Sequence, residues 1–273
     1  MKKRIVTHKH PHLDEIMCVW MIRRFLRGWE KATMVYVATN AKKRAQQDDA
    51  HTMVIGVGRG KFDEHKGNLN DSATTLVYKF ILSKKPKLAL DEKIALAALV
   101  DFVNDDDHGK HISMPFAEFH ISACMTYLAK AGKSSSELLN FGATYLDGVF
   151  SALTEEALVA RDLKKAIRFA TPWGPALAVT TTANAKSILR AATAETIFIV
   201  VVVGAKTKFR SIRATPECPI DLSDAFEKIH TAEPHAEWYL HHSKKMLICG
   251  SDVAENKNLS RASLATLIKL ISV

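Results

Sequence analysis

Thr7-His8-Lys9-His10-Pro11-His12-Leu13-Asp14-Glu15 places three histidines and two carboxylates within nine residues. Arg4-Ile5-Val6-Thr7, just before the cluster, reads as a short buried strand. Ile16, Val19, Trp20 and Phe25, just after it, recur at the spacing of an amphipathic helix. The stretch is therefore a strand-to-helix turn at the carboxyl edge of a sheet, where open α/β folds bind their ligands. Pro11 fixes its own φ and turns His10 away from the right-handed helical region, which keeps the turn open. His8, His12 and Asp14 offer imidazole and carboxylate donors, a mixture suited to Mn, Fe, Zn or Co, and they predict a metal centre.

Two further clusters follow regular elements in the same way. Thr33–Ala38 and Thr52–Ile55 are β-rich runs, and Gly56-Val57-Gly58-Arg59-Gly60-Lys61 after the second is too glycine-rich to continue as a strand. That loop lacks the Lys-Ser/Thr ending of a phosphate-binding P-loop. Its expected role is to turn the backbone sharply and deliver Asp63, Glu64 and His65 to the first cluster. Ser72-Ala73-Thr74-Thr75 opens a helix, and Leu90–Val103 forms another that runs into Asn104-Asp105-Asp106-Asp107-His108-Gly109. Three consecutive aspartates repel one another, and a helix C-terminus, already negative, is a poor place for them. They are therefore either solvated or metal-facing, and the cost at the helix end favours the second.

Phe116–Leu128 and Ser136–Phe169 read as mostly helical, and Thr171-Pro172-Trp173-Gly174-Pro175 is the clearest break. Beyond it come strand candidates at 176–180, 196–203, 207–213 and 245–249, with helix candidates at 184–192, 221–229 and 261–271. The expected fold class is α/β: a parallel-sheet N-terminal domain over residues 1–170 and a smaller α/β C-terminal domain over 171–273. His230, His235, His241 and His242 are too dispersed to read as ligands.

Composition excludes several classes. Of 273 residues, 47% are hydrophobic and 25% charged, as in ordinary globular chains. The longest apolar run, Ile197–Val203, is a buried strand rather than a membrane span. The basic start, Met1-Lys2-Lys3-Arg4, precedes an apolar segment too short for a secretory signal. Cys18, Cys124, Cys218 and Cys249 are scattered, so they are expected reduced, in a cytoplasmic protein. No Gly-x-Ser-x-Gly elbow or cysteine signature points to a nucleophilic hydrolase. The net charge of +9 favours polyanionic partners such as nucleic acid or phosphorylated metabolites.

With the three clusters in view, the sequence resembles the DHH phosphoesterase superfamily, which includes RecJ-type exonucleases and manganese-dependent pyrophosphatases. It is most similar to the melanocyte-proliferating-gene group, metal-dependent 3′–5′ RNA exonucleases. His12-Leu13-Asp14-Glu15 resembles the His-Ala-Asp-Glu ending of the first motif. Gly56-Val57-Gly58 with Phe62-Asp63-Glu64-His65 resembles Asp-Val-Gly and Tyr-Asp-His-His, and Asp107-His108-Gly109 resembles Asp-Asn-Gly. Phe209-Arg210-Ser211-Ile212-Arg213 and the Leu247–Ile271 tail resemble the closing portion.

The resemblance implies a DHH-like catalytic domain followed by a substrate-binding domain. It implies hydrolysis of phosphodiester bonds by metal-activated water, with a divalent ion: Mn²⁺ first, Mg²⁺, Zn²⁺ or Fe²⁺ as alternatives. The implied metal ligands are His8, His12, Asp14, Glu64 and Asp107. Asp63 would orient a neighbour, His65 would contact or protonate the phosphate, and Arg210 and Arg213 would grip it. The expected partner is a nucleic acid or nucleotide, with no membrane and a homodimer left open. Two positions depart from the pattern. Gly56 replaces an aspartate that bridges metals, and Glu64 replaces a metal-binding histidine. They motivate one alternative, an eroded DHH fold that binds nucleic acid or a protein. A small-molecule pyrophosphate or nucleotide hydrolase is the rival within the same reaction class, and the loss of the bridging aspartate argues against strict pyrophosphatase behaviour.

Overall fold

The computed structural model describes residues 2–38, 48–64, 70–84, 86–250, 255 and 257–272. The chain divides into two compact units, Met1–Thr154 and Glu155–Val273. Both are α/β.

In the first unit, β1 (Arg4–His8) lies between β2 (Thr33–Val37) and β3 (Thr52–Val54), and all three run parallel. β1 is flanked on both edges, and Ile5, Val6, Thr7 and His8 are buried in succession, so its burial does not alternate. The register sets His8 opposite Val37. The Ile55 amide donates to the Val6 carbonyl, so the turn at Gly56 begins at the same edge as His8.

Helix α1 (Leu13–Phe25) is the centre of this unit. Every residue from Leu13 to Ile22 is buried, including Asp14 and Glu15. The amphipathic helix expected from Ile16, Val19, Trp20 and Phe25 is thus covered all round. α2 (Ala73–Ser83) and α3 (Leu90–Asp107) pack on it, and Ile16 meets α5 (Ser135–Leu163) at Gly142. Its C-terminal end is tied to α5 as well: the Trp20 indole N–H and the Arg24 guanidinium both donate to Asp147 Oδ1 at 2.9 Å. α4 (Ile121–Lys130) follows a short 3₁₀ turn at Ala117–Phe119.

In the second unit, the strands in chain order are β4 (Ile167–Thr171), β5 (Gly174–Thr181), β6 (Ile199–Gly204), β7 (Arg210–Ala214), β8 (Trp238–Leu240) and β9 (Met246–Cys249). They form one sheet of order β4-β5-β6-β7-β9-β8, in which only β5 and β6 are parallel. α6 (Ala185–Ala194) covers one face, where Leu177, Val179, Val200 and Val202 lie. α7 (Ser223–Ala232) and α8 (Leu264–Lys269) cover the other, with Ala176, Ala178, Ile199 and Val201. Cover on both faces explains the unbroken valine run of β6.

The division between units falls at Thr154/Glu155, earlier than the break expected at 170. The Thr171–Pro175 stretch is a hairpin turn: Thr171 pairs with Gly174, Pro172 and Trp173 form the corner, and the Thr171 hydroxyl donates to the Gly174 carbonyl at 2.7 Å. The helix expected to run to Phe169 stops at Leu163 because β4 is claimed by the sheet. The last turns of α5, through Val159 and Leu163, pack into the core of the second unit.

Two glycines of α5 test this packing with opposite signs. A Cβ on Gly142 would sit 2.9 Å from Ile16 Cγ2, whereas one on Gly148 would meet nothing within 4 Å. Gly148→Ala should raise stability by about 0.5–1 kcal/mol through helix propensity. Gly142→Ala should lower it by roughly 1–3 kcal/mol, because a branched, fully buried side chain cannot yield. Urea midpoints at constant m-value measure both. Equal stability of the two variants would show that α5 does not press on Ile16.

Candidate metal centre

The carboxyl ends of β1 and β3 bring the first two clusters together. His8 is the last residue of β1, and its Nδ1 is 2.8 Å from the Lys9 carbonyl. A carbonyl only accepts, so Nδ1 carries the hydrogen and Nε2 is turned towards Glu15 Oε1 at 3.1 Å. Two lone pairs do not face each other at that distance without a proton or a metal cation between them. Burial alone would lower the His8 pKa, but the hydrogen bond and charge of Glu15 outweigh it and raise it. Burial alone would raise the Glu15 pKa, but His8 and His12 hold it down. The Glu15 Oε2 accepts the His12 backbone N–H at 2.9 Å, which also caps α1.

Asp14, one residue earlier on α1, faces the N-terminus of α2. Its two oxygens accept the backbone N–H groups of Thr74 at 2.8 Å and Ala73 at 3.1 Å. The positive end of a helix ordinarily favours a carboxylate. Yet the Asp14 pKa is pushed up to about 7, by burial first and then by the charges of Glu15 and Asp107, against the downward pull of Thr74. Burial and the two neighbouring carboxylates together outweigh the two amide hydrogen bonds. The Asp107 pKa is raised too, by burial and then by Glu15.

The donors form two groups. His8, His12 and Glu15 each offer a ligand atom within 4.8 Å of the others, and so do Asp14, Glu64 and Asp107. His8, Glu15 and Asp14 are buried while His12 and Asp107 are exposed, so the cluster has a closed back and an open mouth. Four carboxylates and two imidazoles, with excess negative charge and one side open, fit a divalent cation.

The aspartate triplet lies within the last turn of α3, and its members diverge. Asp105 pairs with Lys110. Asp106 accepts the Ser122 hydroxyl and lies 3.4 Å from His120 Nδ1, which fastens the start of α4. Of the three, Asp107 alone joins the candidate ligand groups.

All five sequence-predicted ligands, His8, His12, Asp14, Glu64 and Asp107, fall in the two groups. Glu15 does so as well, although sequence reasoning gave it no role. Its signal is the His12-x-x-Glu15 capping spacing together with the bare Gly56. Gly56 adopts φ 64°, and a Cβ there would lie 2.6 Å from Glu15 Oε1. The Glu15 carboxylate thus fills the space that a side chain at position 56 would take.

Asp63 belongs to neither group; its carboxylate accepts the Arg59 backbone N–H at 2.6 Å and closes the glycine turn. His65 lies outside the described residues. Arg210 and Arg213, both on β7, are an odd number of positions apart and therefore project to opposite faces of the sheet. Arg210 donates to the Ala262 and Phe209 carbonyls, and Arg213 Nε donates to Ser211 Oγ at 2.9 Å. They cannot grip one phosphate together.

No helix among the described residues is long and apolar enough to cross a membrane. No protein among the curated sequences matches the chain. Among solved structures, an uncharacterized protein from Helicobacter pylori aligns at 12% identity and a TM-score of 0.31, over 94% of this chain and 95% of that one. RecJ from Thermus thermophilus, in complex with Mg²⁺, aligns at 14% identity and a TM-score of 0.27, over 92% of this chain and 47% of RecJ. The family model that matches is not that of the DHH group that the motifs resemble. It is described as the C-terminal domain of ChrB, and it matches residues 5–153, nearly the whole of the first unit. Covering more than half of the 273 residues, this match makes the chain a member of the ChrB C-terminal domain family.

Proposed function

We propose that the first unit is a metal-dependent phosphoesterase that cuts phosphodiester bonds, with the end of an RNA or a short oligonucleotide as substrate. The convergence of His8, His12 and Glu15 beside Asp14, Glu64 and Asp107 carries this reading. The resemblance of the three motifs to the DHH pattern supports it, and the basic charge favours a polyanionic substrate.

A bound divalent ion supplies Lewis acidity and lowers the pKa of its water towards neutrality. The chain's own residues do the rest. His8 is held in one tautomer by the Lys9 carbonyl, so Nε2 is the atom it presents. Glu15 is oriented by the His12 amide, and Asp14 by the two amides that open α2. His12 and Asp107, at the exposed mouth, are the donors that a substrate phosphate meets first. Asp63 keeps the glycine turn closed and so keeps Glu64 in place.

Chain purified without chelators should retain a divalent metal by elemental analysis. Saturation at about 100 times Kd should stabilise the first unit by about 2.7 kcal/mol, reversed by EDTA. A metal-free chain whose melting ignores Mn²⁺ would sink the metal centre.

Glu15→Gln should weaken Mn²⁺ binding by about 10–100-fold, as losses of well-placed groups at metal sites do. Gly56→Ala should do the same without touching a ligand, by displacing the Glu15 carboxylate. Gly56→Asp combined with Glu15→Ala should restore part of the loss, since aspartate tolerates a left-handed φ better than most residues. Calorimetric titration with Mn²⁺ reads all three, and wild-type affinity in Gly56→Ala would show that Glu15 is not a ligand.

With Mn²⁺, end-labelled single-stranded RNA should shorten stepwise from its 3′ end, faster than DNA, while pyrophosphate is spared. Turnover of pyrophosphate alone would select the small-molecule alternative. A metal-loaded chain that turns over none of the three would be a binding protein.

A further inference from the structure

Beside the cluster, within the first unit, is a cleft of about 580 Å³. His12, Asp14 and Asp107 line it at the metal-facing end, and α4 lines it with Ser122, Thr126 and Lys130. These three recur every fourth residue and form one stripe on the helix. Met125, Ala129, Leu138 and Ile112 supply its apolar surface.

The cleft has three chemical zones. The Ser122 hydroxyl is spent on Asp106, which fixes α4 against the end of α3. The Thr126 hydroxyl donates to the Ser122 carbonyl at 2.9 Å, so it faces a ligand as an acceptor. Lys130 makes no ion pair with a carboxylate among the described residues, and its Nζ lies 4.8 Å from the centre of the Tyr127 ring. Ile112 is 81% exposed although it lines the cleft, an apolar surface with little cover. Gly109, at φ 71°, allows the turn that sets it there, since a Cβ at 109 would lie 3.0 Å from Ile112 Cδ1.

Donors that would hold an anion through a metal, apolar side chains and a lysine without an ion pair among the described residues match one nucleoside phosphate. The volume lies inside the roughly 300–1,000 Å³ typical of small-ligand sites. From Ser122 to Lys130 the helix rises about 12 Å, a span for one monomer and not for a duplex.

We propose that this cleft binds a single nucleoside phosphate, free or at the end of a strand. The phosphate sits at His12, Asp14 and Asp107, the base lies against Met125, Leu138 and Ile112, and Lys130 meets the far polar edge. The assignment rests on the metal centre, because Asp14 and Asp107 without a cation would repel a phosphate.

The test titrates full-length, Mn²⁺-loaded chain with adenosine 5′-monophosphate, a 5′-phosphorylated adenosine dinucleotide and inorganic phosphate. Thr126→Trp should fill the cleft and cut nucleotide affinity by about tenfold or more, or about 1.4 kcal/mol. Mn²⁺ and inorganic phosphate should bind it as they bind wild type. Lys130→Ala should weaken the nucleotide severalfold with Mn²⁺ binding unchanged. Tighter binding of the monophosphate marks a free nucleotide as the source, and tighter binding of the dinucleotide marks a strand end; either supports the cleft. Mn²⁺ uptake with nucleotide binding no tighter than inorganic phosphate, or unaltered in Thr126→Trp, would overturn the cleft alone. No Mn²⁺ uptake by wild type would overturn the metal centre and the cleft together.

Discussion

Four carboxylates gathered at the carboxyl end of a three-stranded parallel sheet need a counter-charge, and much of the first unit is arranged around that need. Asp14 receives two backbone amides and still titrates near neutrality. Local hydrogen bonding therefore falls short of neutralising the cluster. His8 answers part of the deficit through Glu15, and its Nδ1 is tied to a main-chain carbonyl so that only Nε2 can respond. A chain that merely had to fold would place apolar side chains on a helix as deeply buried as α1. Acids retained there at an energetic cost form groups that could hold a cation.

Much of this was legible in the sequence because strand ends announce themselves. The His8–Glu15 stretch sits between an apolar run and a helical one, and the glycine turn after β3 has the same grammar. The two-unit α/β organisation followed from the alternation of elements, and the strands beyond residue 175 from their β-branched runs. What sequence could not carry was cover. α1 looked amphipathic, but α2, α3 and α5 enclose it, and enclosure by distant segments leaves no periodic trace. Residue 170 looked like a boundary because proline and glycine break a pattern equally well in a hairpin and in a linker.

The arginines of β7 and the aspartates of α3 show how period decides partnership. A strand alternates, so residues 210 and 213 face apart. A helix advances by about 100° per residue, so three neighbouring aspartates have three settings: an ion pair with Lys110, a clasp on α4 and a place in a group that could hold a metal. Reading a run of like charges as one feature conceals that division. Only Asp107 reaches the cluster, and Asp106 contributes by holding the helix that lines the neighbouring cleft.

Gly56 is where a missing side chain carries information. Judged by its motif, it is a lost carboxylate, and a lost ligand suggests an eroded site. Judged by its surroundings, it is the space into which Glu15 fits, with a clearance of 2.6 Å that no β-carbon could share. Glu15 holds that space from the first turn of α1, fixed by the His12 amide at the end that α1 buries, whereas position 56 begins a glycine-rich turn. The motif pattern already has a glutamate at position 15, so the carboxylate missing at position 56 is matched in number by Glu64, which stands where the pattern has a histidine. A side chain is lost from the strand end and an acid appears past the glycine turn, and the space left at Gly56 is closed by the Glu15 carboxylate.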